Sequence, residues 1–186
     1  MDNINNIGIM ELGSLAAGYR VEDALLKTAP VSILIARPIC SGKFLIVVAG
    51  SVASVKASLA GGIRVGGESI IEHRIINNLH PAVLPALGLA VEIGTELPGA
   101  LGIVETFSAA AAVEAADAAV KNAPIGLFRI HLAMAMGGKG LVLFCGGLGD
   151  VRAGLDAAVA VMAESGMLAG SALISAPSAE LLREYM

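Results

Sequence analysis

The residues of this chain that could do chemistry are few: Cys40 and Cys145, His73, His80 and His131, and the pairs Gly42-Lys43 and Gly138-Lys139. A Gly-Lys pair cradles phosphate when a further glycine stands five residues before its own, so that backbone amides wrap the anion. Arg37 and Ala133 occupy those places, so neither pair is a phosphate loop. The histidines share no spacing with one another, and no neighbouring acid completes a triad or a zinc site. Two cysteines do not build a disulfide framework. Cys145 closes an apolar run at residues 141–144 and reads as core. Cys40 sits in a tight link, Cys40-Ser41-Gly42-Lys43, and by itself reads as a small apolar side chain. The chain reads as a non-enzyme.

The elements that position these residues are written twice. Gly8-Ile9-Met10-Glu11 returns 94 residues later as Gly102-Ile103-Val104-Glu105, and Asp23, Lys27 and Pro30 return as Asp117, Lys121 and Pro124. From Gly42-Lys43 onward the offset is 96, matching Gly138-Lys139, Val151, Leu155 and Pro177 to their counterparts in the first copy. So long a period means two homologous domains rather than a solenoid.

Within a copy, residues 7–12 suit a buried strand. A helix follows at residues 16–29, with Val21, Leu25 and Ala29 on one stripe and Arg20, Asp23 and Lys27 on the polar side. Asp23 and Lys27 form an i, i+4 pair in the favourable order, and Pro30 stops the helix. A strand at 31–39, the Cys40 link, and a strand from Phe44 come next. The second-copy strand sets Ile125 and Leu127 against Arg129 and His131. Then comes a helix whose stripe is Val52, Val55 and Leu59, repeated as Leu148, Val151 and Leu155. Its glycines 61, 62, 66 and 67 suit close packing of a partner helix. A last strand near 69–76 completes a βαββαβ unit, α+β in class and related to the ferredoxin-like split βαβ pattern. The expected domains are 4–92 and 98–186, with the join at 88–100.

Hydrophobic residues make up 56% of the 186 and charged residues 15%, with a mean hydropathy of +0.79. A small monomer of that balance leaves apolar surface in water, so an obligate oligomer is expected. Residues 44–55 carry no charge, but about 12 residues fall short of the roughly 20 that a spanning helix needs. Residues 77–91 carry His80, Pro81 and Pro85. A membrane protein is therefore not expected, and the N-terminus lacks signal-peptide character, which points to the cytoplasm. A net charge of −4 with 3% aromatics gives nucleic acid neither a basic stripe nor a stacking platform.

Several pieces together carry a resemblance: Gly-Ile-Met-Glu, the Asp23-Ala24-x-x-Lys27-x-Ala29-Pro30 helix end, Ser41-Gly42-Lys43, and residues 50–57. They resemble the bacterial microcompartment shell domain, once per copy, and the tandem order is similar to that family's trimeric tandem class. The resemblance implies a homotrimer that forms a flat pseudo-hexameric tile, meeting other shell proteins edge to edge in a cytoplasmic compartment. Lys27 and Lys121 take the place of the family's edge lysine. His80 and Ala176 stand where its edge arginine would be, a departure that weakens contact between tiles. The loop before the third strand lines the tile's pore, which implies pore-lining roles for Ser41, Gly42, Met136, Gly137 and Gly138.

In family members of the propanediol-utilisation type, the cysteine at position 40 ligates an iron-sulfur cluster. Three Cys40 thiols around one threefold axis would hold three irons of one [4Fe-4S] cube per trimer, the fourth iron being open. Such members often carry proline where this chain has Ser41. Lys43 would offset cluster charge. The implied function is electron or cofactor transfer across the shell, with an encapsulated redox enzyme as a further partner. The alternatives are a cluster-free pore for small polar metabolites and, in another class, a trimeric ligand-binding regulator.

Overall fold

The structure, a computed structural model, describes residues 5–88, 91, 98–133 and 136–182. The expected domain ends at 4, 92 and 186, and most of the expected join at 88–100, lie outside the described residues. Two compact units form: Met1–Leu79 with Ala133–Gly138, and His80–Leu132 with Lys139–Met186.

The first unit runs β1 (Asn6–Leu12), α1 (Leu15–Thr28), β2 (Ser32–Ile39), β3 (Lys43–Ala49), α2 (Val52–Gly66) and β4 (Ile70–Asn77). Its antiparallel sheet has the order β2-β3-β1-β4. The Ser14 hydroxyl caps α1 by accepting the Ala17 N–H, and Ala29, already extended, precedes Pro30. Met10, Leu12, Phe44, Ile46 and Val48 on one sheet face pack against Val21 and Leu25 of α1 and Val55 and Leu59 of α2. A Cβ at Gly61 would stand 2.2 Å from Thr28 Oγ1, and one at Gly62 would stand 2.8 Å from Leu25, so the glycines let α2 lie close on α1. That is the packing expected of them. Val52 departs from its expected stripe: it is the first residue of α2, directly after the Ser51 cap, and is 40% exposed.

The second unit comprises α3 (Val83–Leu87), β5 (Ala100–Thr106), α4 (Ala109–Asn122), β6 (Gly126–Leu132), β7 (Gly140–Gly146), α5 (Leu148–Glu164), β8 (Leu168–Ser175) and α6 (Ala179–Leu182). The sheet order β6-β7-β5-β8 repeats that of the first unit. A register shift between Leu127 and Arg129 pairs them with Phe144 and Leu143, which turns them to opposite faces, as expected. Leu182 of α6 is buried with Leu101, Phe128 and Leu143. Leu148, like Val52, is exposed rather than on the core stripe.

The repeat offset changes twice, not once. Helix α5 has 17 residues against 15 in α2, so β4 and β8 lie 98 apart: β1 begins by pairing Asn6 with Asn77, and β5 by pairing Ala100 with Ser175. The next residues, Asn78 and Ala176, are both left-handed, with φ of 53° and 46°. The match of Pro81 to Pro177 at 96 is therefore displaced by two residues. The place of His80 is taken in the second copy by Ser178, not Ala176. Both carbonyls accept an amide three residues on: His80 from Val83 at 3.0 Å and Ser178 from Leu181 at 3.1 Å. Among the described residues no helix is long and apolar enough to cross a membrane.

Candidate functional site

Cys40 follows β2 and opens a single tight helical turn, residues Cys40–Gly42, that leads into β3. Its N–H donates to the Ala133 carbonyl at 3.0 Å, and its thiol is half-buried. Ser41 and Gly42 are exposed and both left-handed, with φ of 64° and 70°. A proline ring fixes φ near −65°. The loop as built on Ser41 therefore does not accept proline at that position. Nothing lies within 4 Å of where a Gly42 Cβ would stand.

The matching second-copy loop, Ala133–Gly138, belongs to the first compact unit. Gly137 is exposed, Met136 half-buried and Gly138 buried. A Cβ at Gly138 would meet Lys43 Nζ at 3.1 Å and Ser41 Oγ at 3.6 Å. Of the five residues expected to line a pore, Ser41, Gly42 and Gly137 stand at the surface, Met136 is partly covered and Gly138 lies beside the Lys43 ammonium.

Lys43, expected to offset the charge of a bound group, is committed elsewhere. Its Nζ donates to Glu11 Oε1 at 2.7 Å, with the Glu11 side chain fully buried and that of Lys43 only 18% exposed. Glu11 faces Glu72 across the β1–β4 ladder, and Arg74 meets Glu72 at 2.6 Å. Lys43, Glu11, Glu72 and Arg74 thus share one sheet face, with the two carboxylates between the two cations. In the second copy Glu105 and Lys139 are 3.0 Å apart but much more exposed, and Gly170 and Ala172 hold the ladder positions of Glu72 and Arg74. The return of glutamate at 94 and lysine at 96 is the sequence trace of these pairs, although by itself it signals only duplication.

Lys27 pairs with Asp23 at 2.7 Å in open solvent. Lys121 pairs with Asp117 at 2.5 Å, and there the carboxylate is nearly buried and also accepts the His80 N–H at 2.8 Å. The His80 Nδ1 accepts the Ala82 N–H at 3.2 Å. Lys121 and His80, two of the expected edge residues, therefore meet at one carboxylate. Cys145 is half-buried beside Leu101, and burial pushes its thiol above the ordinary value, as suits a core position. Among the described residues no three His, Cys, Asp or Glu side chains gather to hold a metal ion.

His131, half-buried on β6, is held below the ordinary value near 6.5, first by burial and then by the positive charge of Arg129. Below about pH 6.5 the unfolded chain takes up a proton that the folded chain resists, so this group lowers stability as pH falls toward its folded value. The expected outcome is that His131→Gln flattens the decline in melting temperature between about pH 6.5 and 5, measured calorimetrically at several pH values. An unchanged slope would contradict it.

Residues 6–79 and 100–177 each match the family described as the BMC domain. The chain is 36% identical over 180 residues to the bacterial microcompartment shell protein PduT of Citrobacter freundii, covering 97% of both chains. It is 32% identical over 78 residues to the carboxysome shell protein CcmK2 of Synechococcus elongatus, 40% of this chain and 76% of that one. A microcompartment protein from Desulfitobacterium hafniense has a similar crystal structure, with a TM-score of 0.86, 37% identity and coverage of 97% and 99%. The fused permuted hexameric shell protein of the RMM microcompartment superposes with a TM-score of 0.63 at 26% identity, covering 85% of this chain and 81% of that one.

Proposed function

Since the chain belongs to the BMC-domain family of microcompartment shell proteins and carries the domain twice, we propose that three copies close into a six-domain tile with Cys40 around its threefold axis. Shell proteins are structural, and the role assigned to this one is to tile a compartment wall with other shell proteins rather than to catalyse a reaction.

The observation that carries the reading is the Cys40 loop. It presents one half-buried thiol beside an exposed left-handed Ser41-Gly42 turn, and among the described residues no cluster of metal-ligating side chains forms within a single chain. One thiol cannot hold a cluster, but a threefold axis supplies three, and thiolate is a soft donor suited to iron-sulfur chemistry. The residues fit a [4Fe-4S] cluster as one third of its ligand set each. Such a cluster would supply one-electron transfer across the shell, serving an encapsulated redox enzyme. The chain's own residues hold the loop: the Cys40 N–H is anchored on Ala133, and Glu11 ties down Lys43 behind the turn. Anaerobic purification with iron and acid-labile sulfide analysis tests this reading. Four of each per three chains supports it. Trimers without either would favour an open pore for small polar metabolites lined by Ser41 and the Gly42 backbone.

Lys27→Ala combined with Lys121→Ala should leave trimers intact while reducing sheet or tube formation in electron micrographs. Lys27 is 74% exposed at the end of α1, so the core does not feel its loss. Dissociated trimers with unaffected sheets would overturn the edge assignment. Wild-type protein that stays as discrete particles would favour a ligand-binding regulator.

A further inference from the structure

The link between the second and third strands differs between the two copies. Pro38 pairs with Phe44 in the first sheet and Leu132 with Gly140 in the second, and these are counterpart pairs. The links between them are residues 39–43 and 133–139, so the second is two residues longer and Ala133 is the counterpart of Ile39. Ile39 is extended, with φ of −128°, and carries the chain straight into the Cys40 turn. Ala133 is fully buried and left-handed, with φ of 55°. That conformation is disfavoured for alanine, and here its carbonyl accepts the Cys40 N–H at 3.0 Å.

The far end of the longer link also meets the Cys40 turn. Gly138 is buried, and a Cβ there would stand 3.1 Å from Lys43 Nζ, 3.4 Å from Lys43 Cε and 3.6 Å from Ser41 Oγ. The ammonium is not free to swing away, because the fully buried Glu11 carboxylate holds it at 2.7 Å. The counterparts lack this contact. Nothing lies within 4 Å of a Gly42 Cβ, and the Lys139 side chain is 43% exposed where that of Lys43 is 18%. The longer link thus meets the Cys40 turn at both ends, Ala133 at the amide that opens it and Gly138 at the lysine that follows it.

We infer that Lys43 and the link at 133–138 position Cys40: pinned by Glu11, the ammonium is the stop against which Gly138 lies, and the link so placed holds the Cys40 amide through Ala133. The two links then have different tasks, the shorter presenting the thiol and the longer bracing it. The inference rests on the reading of Cys40 as a cluster ligand proposed above, since three thiols share one cluster only when each turn is held alike. Lys43 is in this sense a positioning residue.

Amide hydrogen exchange across residues 40–43, followed by mass spectrometry of the full-length protein, tests the brace. The pair Lys43→Met with Glu11→Leu keeps the fold but removes the pinned ammonium. Cys40 should then exchange about tenfold faster while the melting temperature stays close to that of wild type. Lys139→Met should leave Cys40 protection unchanged. A pair with merely structural importance would return protection together with stability, and that result would overturn the inference. Gly138→Ala and Gly137→Ala give a second route that leaves the ion pair in place. Both glycines are left-handed, with φ of 87° and 61°, so alanine strains either backbone, yet only at 138 does it meet the ammonium. Gly138→Ala should speed Cys40 exchange about threefold more than Gly137→Ala does, and equal effects would overturn the inference. The ligand reading fails separately: wild-type protein without iron and sulfide, whose Cys40 protection still depends on Lys43, would remove the cluster and leave the brace standing.

Discussion

Lys43→Ala should destabilise the protein by about 3–5 kcal/mol, while Lys139→Ala should cost less than about 1 kcal/mol. The two lysines are counterparts and meet counterpart glutamates, so local sequence gives no reason for the difference. Burial does. Glu11 is fully buried, and removing the Lys43 ammonium leaves its charge in a low-dielectric layer directly across from Glu72. Glu105 and Lys139 are 36% and 43% exposed, and water screens them. For a chain of this size each kcal/mol shifts the melting temperature by roughly 2–4 °C, so calorimetry separates the two outcomes. Lys43→Met with Glu11→Leu should recover most of the loss, because it removes the buried carboxylate together with its ammonium partner. Equal losses for Lys43→Ala and Lys139→Ala would contradict the burial argument.

The proposed cluster would make the anaerobic protein brown and give its reduced state a paramagnetic resonance signal; Cys40→Ser should abolish both, while Cys145→Ser spares them. Serine is close to cysteine in size and keeps the turn, so the trimer should persist with its thiolates gone. Cys145 sits half-buried in the second sheet with its thiol kept protonated by burial, which makes it a poor ligand. A Cys40→Ser protein that retained the cluster would sink the ligand assignment.

Much of the fold was legible because its cues are local. The apolar runs, the Pro30 and Pro124 stops and the close-packing glycines at 61 and 62 each act over a few residues. The second change of offset was not legible. Helix α5 absorbs its two extra residues in its last turn, where the glycine run of α2 has no counterpart to mark the register. That hid the equivalence of His80 and Ser178. The partner of Lys43 was equally out of sight, since only strand pairing brings Glu11 beside it from 32 residues away. Asp23 and Asp117 make the same point more sharply. They sit in the same motif with the same lysine partner, yet one is open to solvent and the other nearly buried, because tertiary neighbours decide burial.

Native mass spectrometry of the anaerobically purified protein tests the central claim most directly, because it counts chains and cluster in one particle. The expected particle has three chains of 18.7 kDa carrying the mass of a single [4Fe-4S] cluster, reduced to three bare chains by Cys40→Ser. A wild-type particle of one chain, three wild-type chains with no added mass, or one cluster on each chain would contradict it.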